Sequence, residues 1–205
     1  MQTLAETSAD MRILRDTLAI VLLAAVSGSM ISIHAAQDSP KLAQFSSDMA
    51  GLHDFDFLIG EWHAHHRVLK ADSHKWIEFD GTSTTRKLMD GAGNVEDNVL
   101  DPPSGTYHAV GLRAYDPKTG QWAIWWLDGR NPFGTLDPPV KGHFEHGIGN
   151  FYSDDILNGK PIRTRYTWSH PASGFARWEQ AYSSDAGETW GTNWVMEFQR
   201  VSRTQ

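Results

Sequence analysis

Residues Ser183–Trp190 read "SSDAGETW". Ser183, Asp185, Gly187, Thr189 and Trp190 have the order of a hairpin turn that stabilises itself. The aspartate can accept backbone N–H groups across the bend, the glycine supplies a positive φ, and the tryptophan packs beneath. Outward from this turn, Phe175–Ser183 and Trp190–Val201 are β-length segments. The same design continues upstream in Glu61–Lys70, Lys75–Met89, Gly93–Leu100, Thr106–Asp116, Gln121–Asp128, Gly142–Ser153 and Pro161–Ser169. Their connections are compact: "DGAG", "DPPSG", "DPKTG", "LNGK" and "HPASG". Links this short join antiparallel neighbours, because a parallel crossover needs a dozen or more residues. The long link is Gly129–Lys141, "GRNPFGTLDPPVK", with three prolines. Before the first segment, "DMAGLHDFDFLIGEW" spaces Leu52, Phe55 and Leu58–Ile59 roughly as a short helix or turn would. The expectation is an all-β, antiparallel, up-and-down barrel or sandwich of about nine strands with a short N-terminal helix.

The turn at Ser183–Trp190 resembles the Asp-box of sialidases and other β-propellers. A propeller needs at least about four blades of roughly 40–50 residues, each with its own copy. The nearest look-alike is "YDPKTGQW" at Tyr115–Trp122, which has a kelch-like order instead. One copy of each does not make a propeller, and the stretch is a turn.

Bulk composition narrows the class. The chain has 205 residues, no cysteine, nine tryptophans and a formal net charge of −7. Leu18–Val26, "LAIVLLAAV", is an uncharged apolar run preceded by Arg12 and Arg15 and followed by "SGSM". Ile33-His34-Ala35 then offers a cleavage site, so residues 1–35 are expected to be a secretory signal peptide, with export to the periplasm or beyond. Residues 36–50 follow as a leader and 51–205 as one barrel domain. Cleavage removes two of 18 basic and three of 25 acidic residues, leaving a charge of −6. That balance argues against nucleic acid or an anionic membrane surface as partner. Without cysteine there is no disulfide, so the fold rests on its core. Each tryptophan buries on the order of 200 Å².

"LIGEWHAHHR" places Gly60-x-Trp62 at the start of the first segment. This resembles the Gly-x-Trp that opens lipocalins and other calycin barrels. The likeness implies that Trp62 plugs the closed end and that an arginine of the last strand stacks on it, Arg200 first and Arg203 second. The nitrobindin pattern continues with further glycines, and "HAHHR" departs from it, so haem of that kind is not implied. The stretches "FDFLIGEW", "DPKTGQWAIWWLDGRNP", "GNFYSDD" and "RWEQAYSSDAGETWGTNWVMEFQR" also resemble a family of exported bacterial proteins of lipocalin-like form. That wider likeness implies a fold and brings no activity with it.

Several constellations could carry chemistry. His63 and His65 share a strand face, with His66 and His74 nearby, but no glutamate follows at cupin spacing. His143, Glu145 and His146 are read as lying on a strand, where the two histidines face opposite ways. That arrangement does not match the helical His-Glu-x-x-His of zinc proteases. No Gly-x-Ser-x-Gly is present and no thiol is available. Neither a metal nor a cofactor is expected. Alternation instead sets Trp122, Ile124, Trp126 and Asp128 on one face, and Trp178, Gln180 and Tyr182 on another. It also groups Trp190, Trp194, Met196 and Phe198, and separately Asn94, Glu96 and Asn98. If the tryptophan faces line a barrel, they form an aromatic cavity for a small hydrophobic or aromatic ligand. Trp126, Trp168, Trp178 and Trp194 would be its walls, and Asp128–Arg130 would orient a polar or carboxylate end. His66, Gln180 and Arg165 would add polar groups, and the proline-rich loop a lid or mouth. The alternative is an isomerase, cyclase or hydrolase using Glu96 or Asp128 as base and His66 as acid. A third class, an interaction module, requires an exposed apolar patch. The oligomeric state is left open by the sequence.

Overall fold

A computed structural model describes residues 49–70 and 74–201. The expected signal peptide, nearly all of the leader, and Arg203 lie outside the described residues. Ten strands run in chain order: β1 (Gly60–Leu69), β2 (Trp76–Leu88), β3 (Gly93–Leu100), β4 (Tyr107–Asp116), β5 (Gln121–Asp128), β6 (Val140–Glu145), β7 (Ile148–Leu157), β8 (Lys160–Ala172), β9 (Phe175–Ser183) and β10 (Gly191–Arg200). Each pairs antiparallel with the next, and β10 returns to β1 to close the barrel, with Trp62 opposite Arg200 and Val68 opposite Trp194. Closure pairs every strand on both sides, though β5 meets β6 only over Trp122–Ile124.

The count is ten rather than about nine because Gly142–Ser153 is not one strand. It breaks at His146 and Gly147, whose φ values of 52° and 80° make a two-residue hairpin turn. His-Gly is not among the usual turn dipeptides, so composition does not mark this bend. His146 therefore sits in a bend, not on a strand opposite His143.

The short N-terminal helix is also replaced. Leu52, Asp54, Asp56, Leu58 and Ile59 each donate a backbone N–H three residues back, and only Asp56–Leu58 forms a 3-10 turn. Side chains of the barrel hold this tight winding. Trp122 Nε1 donates to the Gly51 carbonyl at 2.9 Å, and Gly51 N donates to the Tyr115 hydroxyl at 3.3 Å. The segment thereby drives Phe55 into the closed end. There Phe55 meets Trp122, Phe144 and Phe151 at ring-centroid distances of 5.1, 4.9 and 5.7 Å.

Trp62 seals the same end. Its Nε1 donates to the Leu58 carbonyl at 2.7 Å, and the Arg200 guanidinium lies 4.1 Å from its ring. Arg200 also donates to the carbonyls of Ile59 and Phe57 at 2.6 and 2.7 Å. Gly60 is required here on two counts. Its φ is +128°, and a Cβ would stand 2.4 Å from Arg200 Nη1.

Candidate ligand cavity

Above the plug the barrel interior turns polar before it opens. Alternation along "YHAVGLRAYD" points Ala109, Gly111, Arg113 and Tyr115 inward, and Arg113 is only 2% exposed. Its guanidinium is held between Phe55 and Trp168, at 5.0 and 4.9 Å from their rings. Nη1 donates to Asn94 Oδ1 at 2.9 Å and Nη2 to Glu96 Oε2 at 2.5 Å. Ser83 donates to the other Glu96 oxygen at 2.9 Å. Gly111 makes room for this pair, since a Cβ there would lie 3.0 Å from Glu96 Oε2. Asn94, Glu96 and Asn98 thus share the inner face, as their alternation implied.

Over this floor lies a cavity of about 240 Å³. Its walls include Trp126, Trp168, Trp178 and Trp194, the four expected, with Ile124, Tyr166 and Met196. Gln180 also lines it and donates to the Tyr182 hydroxyl at 2.8 Å. The opening follows from strand pairing. The β5–β6 ladder covers only Trp122 to Ile124, so the rest of β5 diverges from its neighbour. The chain at Trp125 and Trp126, with Asp137, Pro138 and Val140 from the proline-rich loop and the start of β6, lines this part of the cavity. Trp126 is 41% exposed, which puts it at the mouth. Burial, and then the charge of Tyr182, push the Tyr166 hydroxyl up to about 12, with Asp155 and Asp137 acting in the same direction.

Other expected site residues stand elsewhere. Asp128 and Arg130 do not line the cavity: Arg130 donates through Nε and Nη2 to Asp128 and lies 3.9 Å from the Tyr107 ring. The pair clamps its own turn, and hydrogen bonding from Arg130 holds the Asp128 carboxyl below its usual range. Arg165 faces the other way from Tyr166 and Trp168, and stacks 4.4 Å from Trp190 on the outer side. Trp190 is itself outside, because β10 carries a bulge between Thr192 and Trp194 that reverses the alternation.

His66 is buried, stacked 4.6 Å from Phe79, and accepts Trp194 Nε1 at 3.4 Å. Burial lowers it to about 4, so it is neutral at ordinary pH and braces a wall tryptophan. His65 pairs outside the barrel with Asp80 at 2.8 Å. No hydrogen bond among the described residues joins His66, Glu96 and Asp128, and of the three only Glu96 lines the cavity. Arg113, not among the expected site residues, carries the floor. Its signal was its place two residues before Tyr115 on the face of Ala109 and Gly111.

Two wider concavities are open to solvent. One lies at the closed end beside Gly60 and Arg200, and the other is on the outer face around His63, His65, Arg177 and Glu197. The outside of β3–β5 is apolar where Val95 pairs with Leu112, Leu112 with Trp125, and Val110 with Leu127.

No family model matches the sequence, and no curated protein matches it. Among solved structures, Rv2717c from M. tuberculosis aligns with a TM-score of 0.50 at 9% identity, covering 75% of this chain and 98% of its own. At that identity the likeness is one of fold alone. The chain is a closed, ten-stranded, calycin-like antiparallel barrel.

Proposed function

We propose that this protein is an exported binding barrel for a small, largely apolar or aromatic molecule. The observation that carries the reading is the cavity itself, four tryptophans over a buried Glu96–Arg113 pair. Aromatic walls with a few fixed polar groups are the usual make-up of a small-molecule site. Its volume of about 240 Å³ lies just under the common range of roughly 300–1,000 Å³, which favours a ligand of one ring or a few carbons. Acid–base catalysis has less support, because its candidate acid is buried behind Trp194 and its second carboxylate is clamped at a turn. The test is calorimetry and tryptophan fluorescence with toluene, phenol and indole. Saturable quenching by at least one supports binding; none with any probe rejects it. Export is tested separately, by the N-terminal sequence of protein recovered from the periplasm or medium. A start near Ala36 supports cleavage after Ala35, and an intact Met1 rejects it.

A further inference from the structure

The cavity's charge and the arrangement of its rings go further than its apolar character. Trp178 and Trp194 meet at 89° with centroids 5.6 Å apart, and Tyr166 lies 5.7 Å from Trp178 at 30°. Trp125, Trp126 and Trp168 complete the aromatic lining. A ring face is electron rich, and several faces at different angles around one small volume suit a positive charge better than a neutral or negative one.

The charged groups of the wall point the same way. They are Glu96, Arg113 and Asp137. Arg113 and Glu96 neutralise each other at 2.5 Å, and the guanidinium is covered by Phe55 and Trp168. Asp137 forms no ion pair among the described residues and lines the same cavity as Tyr166. Arg130, just past β5 and outside the cavity lining, is paired with Asp128 at 2.5 Å. The wall therefore carries one uncompensated negative charge, at the edge of an aromatic box.

We infer that the ligand is a small organic cation of the alkylammonium class, held against the wall that Trp178, Trp194 and Tyr166 form together, with Asp137 as counter-charge. This rests on the binding reading above and narrows it. An anion would meet both the electron-rich faces and Asp137, and the floor arginine has no charge left to offer it.

The experiment compares choline with 3,3-dimethylbutan-1-ol on the full chain. The two share a shape and differ in exchanging the ammonium nitrogen for carbon. Benzoate serves as the anionic control. Choline is expected to bind about tenfold tighter than the alcohol. Asp137→Asn and Trp178→Leu should each bring that ratio to about threefold or less. Asp137 lies in an exposed loop, so its variant tests the charge with the barrel intact. Equal or tighter binding of the alcohol or of benzoate overturns the cation inference and leaves the binding reading standing. A tenfold ratio unchanged in both variants overturns the site assignment. If choline, the alcohol and the neutral aromatic probes all fail to bind, both readings fall together.

Discussion

Arg113 and Glu96 show what a buried charge pair demands of its surroundings. Both side chains are almost wholly out of water, at 2% and 4% exposure, so each depends on the other and on Asn94 and Ser83. Removing one partner leaves an uncompensated charge in the interior, which typically costs about 3–5 kcal/mol. Arg113→Met should therefore lower the unfolding free energy by roughly that amount in urea titration. Arg113→Met combined with Glu96→Gln should recover at least about half of the loss, because no charge is then stranded. A double variant no better than the single one would mean that the guanidinium acts by packing on Phe55 and Trp168. His66 makes a prediction of a different kind. Its ring takes a proton near pH 4 in the fold but near 6.5 when unfolded. The stability it permits is complete above pH 6.5 and is lost progressively as the pH falls toward 4, by up to roughly 3 kcal/mol. His66→Gln, which can still accept from Trp194, should flatten that portion of the pH–stability curve between pH 7 and 4.5. An unchanged slope would assign the acid sensitivity to other groups.

Among elements, the hairpins carry the most information from the sequence. In the β9–β10 turn, Thr189 N donates to Asp185 Oδ1 at 2.9 Å, Gly187 N donates to Ser183 Oγ at 2.8 Å, and Gly187 has a φ of +100°. Trp190 Nε1 closes the unit on the Gly187 carbonyl at 3.0 Å. Hydrogen bonds from Thr189 and Ser183 hold the Asp185 carboxyl far below the ordinary carboxylate range. Asp185→Ala should lower the melting temperature while leaving probe affinity within about twofold, since the turn does not touch the cavity; a large affinity loss would contradict that separation. These bonds are local, and that is why "SSDAGETW" and "DPKTGQW" are legible as turns, whereas the plug at Gly60-x-Trp62 is implied by its resemblance to calycin barrels. Two differences between pattern and structure are interruptions of period that leave no compositional mark. The bulge of β10 placed Trp190 outside, and His146-Gly147 split one expected strand into β6 and β7. Arg165, expected inward, alternates with Tyr166 and Trp168 and so faces away from them. Arg113 stayed hidden because a charged residue on an inward face is the exception to the rule that assigns faces.

At the scale of the whole molecule, the barrel is filled at one end and hollow toward the other. The filled end is crowded: Phe55, Trp62, Trp122, Phe151 and Phe198 are each at most 2% exposed. It anchors the sheet, while the short β5–β6 ladder lets the opposite part of the wall separate. Void in a barrel of this size is a stability cost, of order 24 cal/mol per Å³ where comparable cavities have been made in cores. Filling it should thus stabilise the fold while destroying any site it contains. Ile124 is the position that separates these two effects, being half-buried on the cavity wall and the last residue of β5 paired with β6. Ile124→Trp adds a ring that projects into the hollow beside Arg113, its partner across the β4–β5 ladder, and leaves both members of the Glu96–Arg113 pair in place. The expected result is an unfolding midpoint equal to or above that of the parent, with quenching by every small-molecule probe reduced about tenfold or more. A midpoint several degrees lower would show that the hollow is too narrow for an indole. Unchanged probe binding in a stable Ile124→Trp protein would place the binding site on the outer surface, and the cavity would then be a packing gap rather than a site.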